Sequence, residues 1–484
     1  MNVFFEARRR LHDTLKNKTL LDTTIYMAGN LLAQGIGFFV LPIFTRYLSP
    51  EDYGIFNYTN SIMPFLAIFS YLSLNSFVLR HYFTLSSEED RRRLFGSIYL
   101  FIALQSALLL ALEFLILPLV IQRFSIQIPF HPFFELAVIC NFLEMLMVIP
   151  LASLRVKKQA GHFFLVTAGQ SIASVLIGLF LVAGGGWGLT GRYTGILITD
   201  ILFAGVGAVI MMRRSDFALD FSMITKGFRF SLPLLPATLT GMGMAFSDRI
   251  ILERYVPLAD IGIYSVAVVL GTVIVTLAMA FYRAVEPDIF ASYHRPGFKE
   301  WVVRLKDRFL LPLIFLGCLQ IIFARELTSL MVSRRFEACY PLIPLLVLAS
   351  IFRGAKVLVG VSFHAYNKTI YDPLIGGIGC VASVATNLLL IPIYGITGAA
   401  LASIVTYWVL LVTTTTFSER FVGIRWGVWK DTLIVAAAWF LSFGVMKINL
   451  GGMPLTVAAK IAVIGSTAVV VWMAVRRPLA QRGR

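Results

Sequence analysis

Two residues of this chain stand out for the chemistry they could do in the place they occupy. Arg353 and Lys356 lie inside 338–361, an apolar run long enough to cross a bilayer. An ionisable group at that depth costs roughly 2.5–3.5 kcal/mol on insertion scales, so it normally faces a cavity or a partner. Residues three apart share a helix face. Counted from about residue 339, Arg353 lies roughly 21 Å in, past the midplane. Two cations there suit a strong anion such as a pyrophosphate, because arginine offers a planar fork to phosphate and lysine adds a point charge. A salt-bridged structural pair is the alternative.

Other charges lie at similar depth. Glu144, in the run 132–153, stands 209 residues before Arg353. It is a candidate to gate against that arginine, or else pairs locally or is protonated in lipid. Asp200 lies about 12 Å into its run and is a candidate for proton or sodium coupling, with a hydrogen-bonded structural carboxyl as the other reading. Asp248 and Arg249 are adjacent and able to neutralise one another, with Asp248 as a further coupling candidate. Asn30 and Gln34 share a face and suit either a cleft lining or interhelical hydrogen bonds. Glu113 and Lys460 receive no role. Glu51-Asp52 is an acidic pair that a glycosyl-transferring enzyme could use. The four cysteines, Cys140, Cys318, Cys339 and Cys380, form no C-x-x-C, and the six histidines are scattered, so no metal site is expected. The glycine clusters at 184–186 and 376–377 follow no strand and read as a turn and as close helix packing. There is no P-loop, and no catalytic set is assigned.

The elements that must position these charges are membrane helices. Of 484 residues, 58% are hydrophobic and 14% charged, with a mean hydropathy of +0.81. Soluble domains carry about 25% charged residues, so the chain reads as an all-α polytopic membrane protein. Fourteen runs qualify: 22–45, 55–79, 95–119, 132–153, 162–184, 192–212, 229–250, 261–283, 308–325, 338–361, 371–392, 395–416, 430–449 and 456–475. The net charge of +16 has a topological cause. With both termini cytoplasmic, inner segments hold 30 Lys and Arg and outer segments eight, a strong positive-inside asymmetry. No nucleic-acid partner is expected, and no cleavable signal is visible.

The chain also repeats itself. Arg46-Tyr47-Leu48-Ser49-Pro50-Glu51-Asp52-Tyr53-Gly54-Ile55-Phe56 returns as Arg254-Tyr255-Val256-Pro257-Leu258-Ala259-Asp260-Ile261-Gly262-Ile263-Tyr264, with five of eleven positions identical at an offset of 208. Gly188-Leu189-Thr190-Gly191 returns as Gly395-Ile396-Thr397-Gly398 at an offset of 207. Two parallel six-helix copies follow. The expected division is a cytoplasmic segment 1–21, an N-lobe 22–212, a linker 213–228, a C-lobe 229–417, and appended helices with a cytoplasmic tail, 418–484. In the linker, 216–221 suits an amphipathic stretch along the membrane surface. What recurs in the longer motif is Arg46/Arg254, Asp52/Asp260 and Gly54/Gly262. This reads as a shared turn, with the aspartates capping the next helix and the glycines packing closely. Glu51 becomes Ala259, which argues against catalysis by the acidic pair.

These motifs carry a resemblance. The stretch 46–54, Ser247-Asp248-Arg249, and Ile391-Pro392-Ile393-Tyr394-Gly395-Ile396-Thr397-Gly398-Ala399-Ala400 are similar to signatures of bacterial polysaccharide-biosynthesis membrane proteins. These are the O-antigen and exopolysaccharide flippases of the multidrug/oligosaccharidyl-lipid/polysaccharide exporter superfamily. The resemblance covers runs one to twelve. It implies a MATE-like fold in the inner membrane and alternating access of two lobes. It implies a polyprenyl-pyrophosphate-linked glycan as substrate, the bilayer and polysaccharide-assembly enzymes as partners, and Arg249 as a cavity cation beside Arg353 and Lys356. No bound cofactor is expected, with a proton or sodium gradient as the energy source. A cation-coupled drug exporter of the same fold would favour carboxylates at the midplane. A membrane polymerase or glycosyltransferase would want large outer loops.

Overall fold

The computed structural model describes residues 35–448 and 456–461. Asn30, Gln34 and most of the last predicted span lie outside them. Every regular element among the described residues is helical. This follows from the apolar runs, since in lipid each backbone N–H and C=O must be satisfied within its own segment. The chain divides into two compact units, Met1–Gly262 and Ile263–Arg484.

The first unit contains α1 (Gly35–Tyr47), α2 (Pro50–Tyr71), α3 (Leu74–His81), α4 (Glu88–Phe124), α5 (Glu135–Met145), α6 (Val148–Val156), α7 (Ala160–Leu179), α8 (Gly188–Arg214), α9 (Phe221–Ser231), α10 (Leu235–Tyr255) and the start of α11 (Leu258–Gly271). Ser49 starts α2 through a capping box. Its Oγ accepts the Asp52 N–H at 3.1 Å, and the Asp52 carboxylate accepts the Ser49 N–H at 2.9 Å. Asp52 therefore caps from the third helical position. Leu72 and Ser73, both at positive φ, turn α3 by 50° from α2. On α4, Leu104, Leu108, Leu115 and Leu119 are exposed while Ser97 and Ser106 are buried. That inverted pattern fits a surface bathed in lipid. Leu74, Phe77, Phe95, Ile98, Ile149 and Ile224 belong to one core cluster.

The predicted surface stretch 216–221 is an extended arm fastened to α4. The Asp216 N–H donates to the Arg92 carbonyl at 3.2 Å, and Ser97 Oγ donates to the Ala218 carbonyl at 2.6 Å. A Cβ at Gly96 would lie 1.9 Å from the Asp216 oxygen, so only glycine lets the arm sit there. The amphipathic helix begins later, at Phe221, where the Asp220 carboxylate accepts the N–H groups of Ser222 and Met223 at 2.9 and 3.1 Å.

The second unit holds the rest of α11, then α12 (Val273–Ser292), α13 (Phe298–Ile322), α14 (Ala324–Met331), α15 (Ile343–Ala365), α16 (Tyr371–Phe421), α17 (Val428–Met446) and a helical turn at 456–461. Its organising element is α15, which packs against α12, α13, α16 and α17. The 51 residues of α16 are two helices joined at Gly395, whose φ of 55° and ψ of −132° break the run. Residues 371–392 and 395–416 thus remain separate, as predicted.

Each predicted span from the second to the thirteenth coincides with a described helix or bent pair. Eight are long and apolar enough to cross a membrane, or ten with each bent pair counted as one span. The count of fourteen is not reached among the described residues, because the first and last predicted spans fall largely outside them, α16 counts once, and α10, the seventh predicted span, is not among the helices apolar enough to qualify. The chain is an all-α, multi-pass membrane protein.

The repeat also appears in the backbone. A Cβ at Gly54 would lie 1.8 Å from the Leu258 oxygen, and a Cβ at Gly262 would lie 1.9 Å from the Pro50 oxygen. Each glycine faces the carbonyl four residues before the other, so the two motif copies touch reciprocally. Gly188 and Gly395, equivalent in the second motif, share the left-handed φ, 53° and 55°. The capping box is not shared. Pro257 stands where Ser49 does and has neither N–H nor hydroxyl for Asp260 to use.

Candidate functional site

α15 carries the strongest candidate site. Its 23 residues span about 34 Å at 1.5 Å per residue, enough for the hydrocarbon core. Eighteen of them are buried, including the run Leu346–Phe352. The accessible ones include Arg353, Lys356 and His364. At 100° per residue, Arg353 and His364 point within about 20° of each other, and Lys356 lies about 60° to one side. One open stripe on an otherwise enclosed helix therefore carries three basic side chains.

Their partners differ along the stripe. The Arg353 guanidinium lies over the Tyr407 ring of α16, 5.3 Å from its centre. Among the described residues, neither Arg353 nor Lys356 has a carboxylate within 4 Å. Lys356 feels Asp372 of α16 at longer range. His364 Nε2 sits 3.1 Å from the Asp372 carboxylate, and on α12 the Tyr282 hydroxyl donates to Glu286 at 2.7 Å. The stripe thus runs from a His–Asp pair at one end of α15 to two unpaired cations near its middle. That arrangement can bind an oxyanion and hold it through charge and hydrogen bonds.

The first unit holds a carboxylate pair. Asp200 of α8 is only 3% exposed. Gln170 of α7 donates to its Oδ1 at 3.1 Å, while among the described residues its Oδ2 has no partner that meets hydrogen-bond geometry. Cys140 and Glu144 of α5 stand beside it. Glu144 occupies the last turn of α5, just before the helix breaks at Leu146 and Met147. Two neighbouring carboxyls with an amide, and no cation among the described partners, can take up a proton or a monovalent cation. Glu144 and Arg353 lie in different units, and each is described within its own.

Asp248 and Arg249 pair with each other. The guanidinium lies 3.5 Å from the neighbouring carboxylate and donates to the Ala245 carbonyl at 3.3 Å. Arg46 and Arg254 are exposed, and Arg254 donates to the Phe124 carbonyl at 3.4 Å. The residues that sequence reasoning missed are His364, Asp372, Tyr407 and Gln170. Lys460, which received no role, is buried and anchors the turn at 456–461 by donating to Glu326 at 2.6 Å and the Ile322 carbonyl at 2.9 Å. Lys306 is buried too, pairing with Asp431 and donating to the Trp426 carbonyl at 2.9 Å. No local pattern marks these partners, which lie 120 or more residues apart in the chain. All four cysteines are free.

The family described as polysaccharide biosynthesis protein matches residues 20–291. No curated protein matches in sequence. Among solved structures, the lipid II flippase MurJ in an inward closed conformation is similar with a TM-score of 0.65 and 15% identity, over 95% of this chain and 100% of that one. An inward-facing multidrug resistance MATE family transporter of the MOP superfamily is similar with a TM-score of 0.61 and 13% identity, over 87% of this chain and 98% of that one. The Vibrio cholerae MATE transporter VcmN in its bent form follows at 0.53 and 13%, over 88% and 100%. At these identities the likeness is one of fold.

Proposed function

Because this chain belongs to the polysaccharide biosynthesis protein family, whose match here comes with the fold of MurJ and the MATE transporters, we propose that it is a flippase for lipid-linked oligosaccharide. It moves a polyprenyl-pyrophosphate-linked glycan from the cytoplasmic to the outer leaflet by alternating access, for O-antigen or exopolysaccharide assembly. The observation that carries this reading is the α15 stripe. Among the described residues, Arg353 and Lys356 have no carboxylate within 4 Å and stand near the middle of a span, where a charge without a counter-ion is costly. A pyrophosphate would supply the missing counter-charge. Fold and family are those of transporters.

Energy enters at the carboxylate pair. Asp200, with Glu144 and Gln170, takes up a proton or sodium ion in one state and loses it in the other, with Asp248 held by Arg249. The test is flipping of fluorescent polyprenyl-pyrophosphate sugars by reconstituted protein. Arg353→Ala and Lys356→Ala should each slow the rate at least about tenfold, the loss of one charge-assisted contact of 1.5–3 kcal/mol. Unchanged rates in both variants would remove the stripe as the site. Asp200→Asn should abolish the response to an imposed proton or sodium gradient while leaving equilibrium substrate binding in place.

A further inference from the structure

The first unit contains a cavity that this mechanism does not use. It has a volume of about 650 Å³ and lies where the end of α4 meets the end of α10. Arg123, Arg254 and Tyr58 supply polar groups, and Phe124, Ile126 and Ile250 supply apolar wall. Neither arginine forms a salt bridge of 4 Å or less among the described residues. Among the described residues, Arg254 donates to the Phe124 carbonyl at the long distance of 3.4 Å. The nearby carboxylate is Glu253, which is 6% exposed and already accepts the Gln127 N–H at 2.6 Å. Its main-chain carbonyl in turn accepts from the Gln127 side chain at 2.5 Å.

Two features argue that the cavity has a ligand. Only eight Lys and Arg fall on the segments that the charge asymmetry predicts to be outer, and two of them line this cavity. The volume is that of a small-molecule site, typically about 300–1,000 Å³. A free anion would have no use for the apolar wall, and an apolar molecule would have none for the guanidinium pair. The composition fits a phosphate group that carries an apolar chain. We propose that this cavity binds the phosphate headgroup of a lipid, with the guanidiniums of Arg123 and Arg254 on the phosphate and the first carbons of the chain against Phe124, Ile126 and Ile250. The partly cancelling charge of Glu253 keeps the grip moderate, as a site that must also release its ligand requires. Two lipids share this chemistry, an anionic phospholipid resident in the leaflet and a polyprenyl pyrophosphate passing through it.

The test needs no transport activity, so its outcome is separable from that of the flippase reading. Full-length protein in phosphatidylcholine nanodiscs is treated with an arginine-selective dicarbonyl reagent, and modification is read residue by residue by mass spectrometry. Three additions are compared: inorganic pyrophosphate, phosphatidylglycerol within the nanodisc, and farnesyl pyrophosphate. Arg123 and Arg254 should react about tenfold more slowly with a lipid probe present at about ten times its Kd. Arg46, exposed but outside the cavity, should react at an unchanged rate. Arg254→Gln should remove the protection at Arg123. Protection by phosphatidylglycerol identifies a resident lipid, and protection by farnesyl pyrophosphate identifies the carrier. Equal rates in all arms, equal protection of Arg46, or protection by inorganic pyrophosphate alone would overturn the proposal.

Discussion

Replacing Gly54 by alanine should destabilise the protein by an amount the geometry sets. The new methyl would lie 1.8 Å from the Leu258 oxygen. A carbon–oxygen contact needs about 3.3 Å, so α2 and the first turn of α11 must part by about 1.5 Å. Overpacking of this kind costs about 1–3 kcal/mol, and because backbone meets backbone here, no side-chain rotation relieves it. Alanine returns up to about 1 kcal/mol of helix propensity. The net loss is about 2 kcal/mol, a fall in Tm of about 4–8 °C at 2–4 °C per kcal/mol. Thermal unfolding in detergent with a thiol-reactive dye can measure it, since Cys140 and Cys339 are buried and become reactive on unfolding. Gly377→Ala is the control, with nothing within 4 Å of its added Cβ, and should leave Tm unchanged or slightly raised. The double variant Gly54→Ala/Gly262→Ala gives the sharper result. The parting forced by one methyl makes room for the other, so the pair should cost little more than either alone, a coupling of about 2 kcal/mol. Additive losses, or a single variant with wild-type Tm, would refute the reciprocal contact.

Three further outcomes are expected. Lys306→Ala leaves Asp431 buried without its cation and should cost about 3–5 kcal/mol, while Lys306→Met with Asp431→Leu should cost clearly less, as measured by the same unfolding assay. Ser49→Ala should lose about 1 kcal/mol with the capping box, and Pro257→Ser, which restores a cap at the equivalent position, should raise Tm. Asp372→Asn removes the carboxylate nearest Lys356 and His364 and should tighten pyrophosphate binding about two- to fivefold, the scale of one exposed charge pair. Weaker binding in an equilibrium titration would count against the stripe as an anion site.

Much of the fold could be read from hydropathy, because a span is a property of one local run. The repeat was equally legible, since Gly54 and Gly262 are fixed by the same need for close approach. Arg353 and Lys356 were visible because a charge in an apolar run is conspicuous. Their surroundings were hidden for a different reason. Which face of α15 stays open depends on α12, α13, α16 and α17 arriving around it, and no residue on α15 records that. Asp372 falls at the start of the run 371–392, and only the packing of α16 on α15 brings it to His364. Lys460 looked peripheral because its partner Glu326 lies 134 residues earlier. Asp52 shares a capping box with Ser49, and that partnership does not carry over to Asp260, because Pro257 removes both groups the box needs.

The enclosure of α15 bears on how the chain is made. The helix holds twelve Leu, Ile, Val and Phe residues, worth about 0.3–0.6 kcal/mol each in favour of leaving the translocon for lipid. Arg353 and Lys356, at its centre, oppose this by about 2.5–3.5 kcal/mol apiece. The two sums nearly cancel, so α15 emerging alone from the ribosome has no decisive preference for the bilayer. Its commitment comes from helices made before and after it, with α12 and α13 waiting and α16 still to follow. Synthesis therefore passes through a stage in which α15 is unclaimed, and it ends only once α16, complete at residue 421, has been made.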